Sequence, residues 1–170
     1  MSVPFYILSS PIKNSRWFYI FTNCISIPLP IHCAGSYDRT LRFWDPSTGV
    51  CSRVISTLHD KFIIGVALST DSKQAATSSG DKTVKLWDVV TGECIHTLKG
   101  HLSYVFNISF SKDGTLLASG SHDKTARLWD TRSGTVYSSV CYLRMLCCKR
   151  QSDIISCYAM VTNITYIVHL

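Results

Sequence analysis

A tryptophan–aspartate pair recurs three times in this chain at nearly constant spacing. The pairs are Trp44-Asp45, Trp87-Asp88 and Trp129-Asp130, and they lie 43 and 42 residues apart. A period of this length is typical of repeat architectures, in which each copy is one supersecondary unit that buries its apolar face against its neighbours. The chain is therefore expected to consist of stacked copies of one unit.

The residues that precede each pair also align. They share a serine, an aspartate, a basic residue and a threonine in the same order, in residues 34–45, 77–88 and 119–130. Upstream, residues 56–69 parallel residues 98–111, so that His59 matches His101. Agreement over this many positions excludes the chance recurrence of a dipeptide.

Each unit contains four short segments with the pattern of β-strands. In the third unit, residues 107–110 alternate between polar and apolar, whereas Val105 is out of phase, which predicts a β-bulge. The second unit shows the same break after Ile63. Asp113-Gly114 and Ser133-Gly134 are turn dipeptides that separate further strands. Four strands in about 42 residues are typical of one blade of a β-propeller.

These units resemble WD repeats, the family that includes the beta subunits of heterotrimeric G proteins. The Gly100-His101 pair, the Trp-Asp pairs and the period carry the resemblance, which covers residues 31–140. The first unit lacks the opening strand and the Gly-His pair, and Leu58 stands in the second unit where Gly100 stands in the third. The resemblance implies an all-β fold, an incomplete β-propeller of about two and a half to three four-stranded blades with irregular flanks.

The chain divides into a repeat region and two flanks. All nine glycines and ten of the eleven acidic residues lie between the flanks. We expect a partial blade and two complete blades, at residues 31–57, 58–98 and 99–140. Residues 1–30 form an apolar flank without an assigned domain, and residues 141–170 form a cysteine-rich tail without repeats. Both flanks are expected to be poorly ordered or loosely packed.

Two complete units and a partial one are too few to close a ring, because propellers have about four to eight blades and open ends leave strands poorly covered. Three explanations are open: a truncated isoform or fragment of a longer propeller, closure by self-association, or an open stack capped by the flanks. The flanks lack glycine and lack the repeat, which favours the truncated product.

A histidine, a hydroxyl residue and an aspartate recur in two units with the residue types of a hydrolase triad. A catalytic site need occur only once, so the recurrence favours a structural role, and we predict no enzymatic activity. The family resemblance implies a hydrogen-bonded network in each unit, which ends on the tryptophan indole. Its members are His59, Thr77, Asp81 and Trp87 in one unit and His101, Ser119, Asp123 and Trp129 in the other. Ala34 replaces the hydroxyl in the first unit, which predicts the weakest blade.

The sequence contains no phosphate-binding glycine loop, no zinc-ligand spacing and no catalytic carboxylate pair outside the repeats, so we predict no cofactor and no metal. The eight cysteines show no paired CxxC motif, which indicates reduced thiols in an intracellular protein of the cytoplasm or nucleus. The adjacent Cys147 and Cys148, beside basic residues, could form a palmitoylation or redox site, but the favoured interpretation is incidental cysteines in a poorly structured tail.

The formal net charge is +6, but the basic residues are scattered, so we expect no nucleic-acid binding. The apolar segments at Trp17–Ile31 and Ile154–Leu170 are interrupted by polar residues. We therefore expect neither a signal peptide nor a membrane span, with a tail anchor at Ile154–Leu170 as the alternative.

By resemblance, propellers of this family are rigid platforms that bind other proteins. We therefore predict a non-catalytic scaffold in a multiprotein complex whose identity the repeats do not reveal. Residues in the turns and next to the bulges are candidates for binding, and aromatic residues among them are preferred as anchors. They are Tyr37, Phe62, Ile64, Gly80, Tyr104, Phe106 and His122. Packing against a neighbouring blade is the alternative for each.

A narrower hypothesis concerns the segment from Leu116 to Arg132. It is similar to the box by which some WD-repeat proteins dock on the adaptor of cullin-RING ubiquitin ligases. Asp130 and Arg132 would carry that docking here, with the arginine guanidinium supplying a fork-shaped charge contact.

Overall fold

A computed structural model describes residues 18–19 and 31–141 of the chain. This part of the chain forms twelve strands and no helix, in three four-stranded antiparallel sheets. Strands adjacent in sequence are adjacent in each sheet, so each sheet is a meander. The predicted all-β fold with repeated four-stranded units, an incomplete propeller, is confirmed. No stretch of these residues forms a helix long and apolar enough to cross a membrane.

The strands follow one another in chain order within each sheet. The first sheet comprises β1 (Phe18–Tyr19), β2 (His32–Ser36), β3 (Thr40–Trp44) and β4 (Cys51–Ser56). The second comprises β5 (Ile63–Leu68), β6 (Gln74–Ser79), β7 (Thr83–Asp88) and β8 (Cys94–Lys99). The third comprises β9 (Val105–Phe110), β10 (Leu116–Ser121), β11 (Thr125–Asp130) and β12 (Val136–Cys141). Strands β2, β5 and β9 meet between the sheets, whereas β4, β8 and β12 form outer edges.

The first sheet contains one strand from outside the repeat region, β1. Phe18 and Tyr19 pair with Ser36 and Gly35 on the edge of β2, the position that β5 and β9 occupy in the other sheets. Four of the five residues of β2 are buried, and buried backbone groups need hydrogen-bond partners. Apart from Phe18, Tyr19 and Cys141, the residues of the two flanks, for which poor order was expected, lie outside the described residues.

The bulge predicted in the opening strands is confirmed. Val105 and Asn107 pair with consecutive residues of β10, so that Phe106 is the extra residue. Strand β5 repeats this shift at Ile64. Because of the bulge, Val105 packs into the same buried cluster as Ile108.

Two apolar clusters hold the sheets together. The cluster between the first and second sheets consists of Cys33, Leu41, Phe43, Ile55, Ile63, Val66, Leu68, Ala75, Trp87 and Val89. The cluster between the second and third sheets consists of Ala67, Ala76, Val84, Leu86, Leu98, Val105, Ile108, Phe110, Leu117 and Trp129. Since side chains alternate along a strand, the second sheet contributes to both clusters, with Trp87 on one face and Leu86 on the other.

Strands β5 and β9 approach each other most tightly at Gly65. A Cβ atom at this position would lie 2.7 Å from Ser78 Oγ and 2.9 Å from the carbonyl oxygen of Phe106. Only a residue without a side chain allows this separation between the second and third sheets.

Candidate functional site

The loop between the second and third strands of each sheet is a tight turn. Its last residue adopts the left-handed conformation, with φ of 69° at Arg39, 74° at Lys82 and 66° at Lys124. The N–H of this residue donates to the carbonyl of the serine that ends the preceding strand. This is the geometry of a three-residue hairpin loop, and it presents the basic side chain to solvent in all three sheets.

The aspartate of the turn connects to the histidine of the same sheet. In the second sheet, Asp81 Oδ2 lies 2.7 Å from His59 Nδ1, and His59 Nε2 lies 2.9 Å from Thr77 Oγ1. The indole N–H of Trp87 donates to the same Thr77 oxygen over 2.9 Å. Four residues that are distant in sequence therefore form one chain of hydrogen bonds.

The third sheet repeats this chain of hydrogen bonds. His101 Nδ1 lies 2.9 Å from Asp123 Oδ2, and His101 Nε2 lies 2.8 Å from Ser119 Oγ. The Trp129 indole donates to Ser119 Oγ over 2.8 Å. The structure thus brings together all eight residues that the sequence assigned to the two networks.

The partners decide which nitrogen of His101 carries the proton. Trp129 is only a donor, so Ser119 accepts from it and donates its own proton to His101 Nε2. Nδ1–H then donates to Asp123. The same proton arrangement occurs in a hydrolase triad. Here, however, Ser119 is completely buried. Its oxygen already accepts the hydrogen bond of the Trp129 indole, so that a substrate cannot approach it.

Burial would raise the pKa of Asp123, but hydrogen bonds from the Thr125 hydroxyl, the Leu102 N–H and His101 lower it to about 2. The pKa of Asp81 is likewise far below its usual range, because hydrogen bonds from His59 and Thr83 outweigh burial. Burial lowers the pKa of His101 despite the neighbouring carboxylate. The network of the third sheet therefore holds a neutral His101 against an ionised Asp123.

The first sheet lacks this network. Its turn aspartate, Asp38, accepts from Thr40 as in the other sheets, but Arg42 Nη2 at 3.3 Å stands where the histidine would be. The Asp38 side chain is 43% exposed, against 8% for Asp81 and 6% for Asp123. That this sheet is the weakest of the three stays a prediction.

Five of the candidate binding residues form a continuous row across the three sheets, which we call the aromatic strip: Tyr37, Phe62, Tyr104, Phe106 and His122. The rings of Tyr37 and Phe62 stack with centroids 4.5 Å apart and an interplanar angle of 7°. Phe62 contacts Tyr104 edge to face at 6.4 Å, and Phe106 contacts His122 in the same way at 5.9 Å. The His122 N–H donates to the Tyr104 carbonyl, which joins the two pairs.

The aromatic strip is both packed and accessible. Phe62 and Phe106 are half-buried, whereas Tyr37 is 47% and Tyr104 is 39% exposed. Lys61, which the sequence analysis did not single out, places its ammonium group 5.2 Å from the centre of the Tyr104 ring. The only signal for Lys61 in the sequence is its place before Phe62. The two other candidates are less accessible, with Ile64 half-buried and Gly80 buried.

Asp130 and Arg132 lie at the opposite end of the strands from the aromatic strip. The Asp130 carboxylate accepts from the N–H groups of Arg132 and Ser133, at 3.0 and 2.8 Å, and so caps its own turn. Asp45 caps the corresponding turn of the first sheet in the same way. The Arg132 side chain is exposed, and its carbonyl oxygen accepts from His96 of the second sheet.

Within residues 18–19 and 31–141, no group of three His, Cys, Asp or Glu side chains is arranged to hold a metal ion. The thiols of Cys51 and Cys94 are not in disulfides. Cys147, Cys148 and the segment Ile154–Leu170 lie outside the described residues.

Comparison with known families agrees with the repeats seen in the structure. The family model described as "WD domain, G-beta repeat" matches residues 49–88 and 92–130. Each match begins with the outer strand of one sheet and ends with the third strand of the next, so that repeat and sheet are offset by one strand. No curated protein sequence matches the chain.

Proposed function

Since this chain belongs to the WD-repeat proteins, whose repeats serve as protein-interaction scaffolds, we propose that it is a non-catalytic scaffold that binds partner proteins through the aromatic strip. The observation that carries this proposal is the continuity of the strip. One row of aromatic contacts crosses all three sheets while Tyr37 and Tyr104 keep large exposed fractions.

Rigid, partly exposed aromatic rings are the usual anchors of protein interfaces, because they bury much apolar surface and lose little conformational entropy. The stacked ring of Phe62 and the ammonium group of Lys61 hold Tyr37 and Tyr104 in place before any partner arrives. The strip is thus preorganised for binding, which reduces the entropic cost of association.

The absence of catalysis is supported by the burial of both candidate nucleophiles. Thr77 and Ser119 are inaccessible to solvent, and each hydroxyl already serves a histidine and a tryptophan. A nucleophile in this state cannot meet a substrate without opening the sheet.

The test is affinity capture of cellular proteins by the purified full chain, compared with a Tyr37→Ser/Tyr104→Ser variant by quantitative mass spectrometry. We expect the variant to lose at least about tenfold in the recovery of specific partners, the effect of removing interface anchors. Tyr137→Ser is the matched control, because Tyr137 is 70% exposed on β12, away from the strip. A partner set that is unchanged in the double variant would contradict the proposal.

The same experiment distinguishes two narrower proposals. Capture of a ubiquitin-ligase adaptor that is lost in Arg132→Ala but kept in the strip variant would support docking through Asp130 and Arg132. Capture of a second copy of this chain would support closure of the ring by self-association.

A further inference from the structure

We propose that the aromatic strip binds an acidic peptide segment that carries aromatic or aliphatic side chains. The inference rests on the proposed function and adds the chemical class of the partner. It is carried by Lys61 at the Tyr104 ring and by exposed basic residues in the turns that belong to the strip or are hydrogen-bonded to it.

Three turns that contain a basic residue belong to the strip or are bound to it by backbone hydrogen bonds. Tyr37 and Arg39 belong to the same turn. The turn that contains Lys82 is bound to the strip, because the Gly80 N–H donates to the Phe62 carbonyl over 3.2 Å. The turn that contains Lys124 is bound in the same way, through the His122 N–H and the Tyr104 carbonyl.

The three turns hold their basic residue in the same backbone conformation. The left-handed conformation at Arg39, Lys82 and Lys124 recurs in all three turns, and all three side chains are exposed. Lys61 adds a fourth cation directly at the Tyr104 ring. Positive charge therefore follows the row of aromatic rings across the three sheets.

Two of the four acidic residues on the strip side, the end of the strands that carries the aromatic strip, are withdrawn from the surface. Asp81 and Asp123 lie beside the same turn cations, but their side chains are 8% and 6% exposed and point to histidine and threonine. Asp38 is exposed but is paired with Arg42. Asp60 is exposed as well.

The loops at the two ends of the strands differ in charge. The opposite side is the end of the strands away from the aromatic strip. Loops and strand ends on the strip side, at residues 37–39, 56–62, 80–82, 99–104 and 122–124, contain five basic and four acidic residues. Those on the opposite side, at residues 45–50, 69–73, 88–93, 111–115 and 130–135, contain three basic and six acidic residues. An acidic partner is therefore favoured on the strip side over the other side.

A peptide fits the strip better than a nucleic acid does. Bases bind to proteins by stacking on free aromatic faces. Here Tyr37 and Phe62 stack on each other, and Lys61 occupies a face of Tyr104. The exposed ring edges and the adjacent cations instead match carboxylates interspersed with apolar side chains.

The test measures binding of three labelled peptides to the full chain by fluorescence anisotropy. In each peptide, consecutive phenylalanines are separated by two identical residues, which are glutamates, serines or lysines. We expect the glutamate peptide to bind at least about tenfold more tightly than the serine peptide, with an affinity that falls as salt is raised. The lysine peptide is expected not to bind. Equal affinity of the three peptides, or tighter binding of single-stranded oligothymidine than of the glutamate peptide, would overturn the proposal.

Charge variants locate the binding site. We expect the preference for the glutamate peptide to be abolished in the triple variant Arg39→Glu/Lys82→Glu/Lys124→Glu. The double variant Lys73→Glu/Lys112→Glu, on the opposite side, is expected to keep this preference. If the reversed variant does not fold, the corresponding three glutamine substitutions serve the same purpose. An unchanged preference in a folded triple variant would overturn the proposal.

The proposed function and the acidic-peptide proposal can be tested separately. If the triple charge variant captures cellular partners normally while Tyr37→Ser/Tyr104→Ser does not, the acidic-peptide proposal is wrong and the strip remains the binding site.

Discussion

The hydroxyl groups of Thr77 and Ser119 each satisfy two partners inside the protein. Each donates to a histidine and accepts from a tryptophan indole, and neither residue is exposed. Removing such a hydroxyl leaves two buried polar groups without a partner, which costs about 1–3 kcal/mol for each group. The indole and imidazole are thus held at the centre of the sheet by one oxygen atom.

Thr77→Val tests this role, because it removes the hydroxyl and keeps the shape of the side chain. We expect the free energy of unfolding to fall by about 2–6 kcal/mol, the cost of leaving both groups unpaired, measured by urea denaturation. Thr77→Ser keeps the hydroxyl, as Ser119 does in the third sheet, and is expected to cost less than Thr77→Val. An equal loss in both variants would assign the effect to the methyl group instead.

The histidine, the hydroxyl residue and the aspartate of each network could be recognised from their recurrence in two units, whereas the network that joins them to the tryptophan indole was implied by the family resemblance. Other partners had no such signal. The N–H groups of Asp60 and Leu102 also donate to the turn aspartates, at 3.1 and 2.8 Å. These donors are backbone groups, which every residue has, so only the folded loop reveals them.

At the scale of the strands, the separation of the second and third sheets is set by Gly65. A methyl group there would collide with a backbone carbonyl of β9, which cannot move without parting the two sheets. The tight packing of the cluster that contains Val105 and Ile108 depends on this contact distance.

Gly65→Ala is therefore expected to destabilise the protein by about 1–3 kcal/mol, as overpacking does. Gly80→Ala is the matched control. Its Cβ would meet nothing closer than Phe62 Cζ at 3.4 Å, an ordinary contact. We expect that variant to be neutral or up to about 1 kcal/mol more stable, because alanine restricts the unfolded chain. The stabilities of the two variants are compared by thermal unfolding. Equal stability would show that the packing of the sheets does not require a glycine at position 65.

Strand positions and bulges could be predicted from the alternation of apolar residues, because the second and third units confirm each other. The pairing of β1 with β2 could not, since residues 18–19 belong to no repeat. The contact between Tyr37 and Phe62 joins two sheets, and the order of residues within one unit carries no information about that geometry. The sequence therefore predicted the individual candidate residues but not their arrangement in one strip.

At the scale of the whole molecule, the buried networks make stability depend on pH. The pKa values of His101, Asp81 and Asp123 are all lower in the folded protein than in the unfolded chain. The unfolded chain therefore binds more protons, and stability falls as the pH falls. His101 contributes first, below its ordinary pKa of 6.5, and the aspartates follow between 3.8 and about 2.

We expect the urea midpoint to be nearly constant above pH 7, to decline as the pH falls below about 6.5, and to decline again below about pH 4. His101→Gln removes the titrating group and is expected to flatten the first decline while leaving the second. A midpoint that rises from pH 7 to pH 5 in the unmodified chain would contradict the assignment of a neutral, buried His101.

The offset between repeat and sheet also governs how such a chain can change in length. Each repeat supplies the outer strand of one sheet and three strands of the next, so neighbouring repeats interlock. An in-frame genetic duplication of one period, begun at any point within the unit, inserts a whole sheet and leaves the pairing on either side intact. A deletion of half a period, in contrast, splits two sheets at once, so that viable length variants of this architecture differ by complete periods.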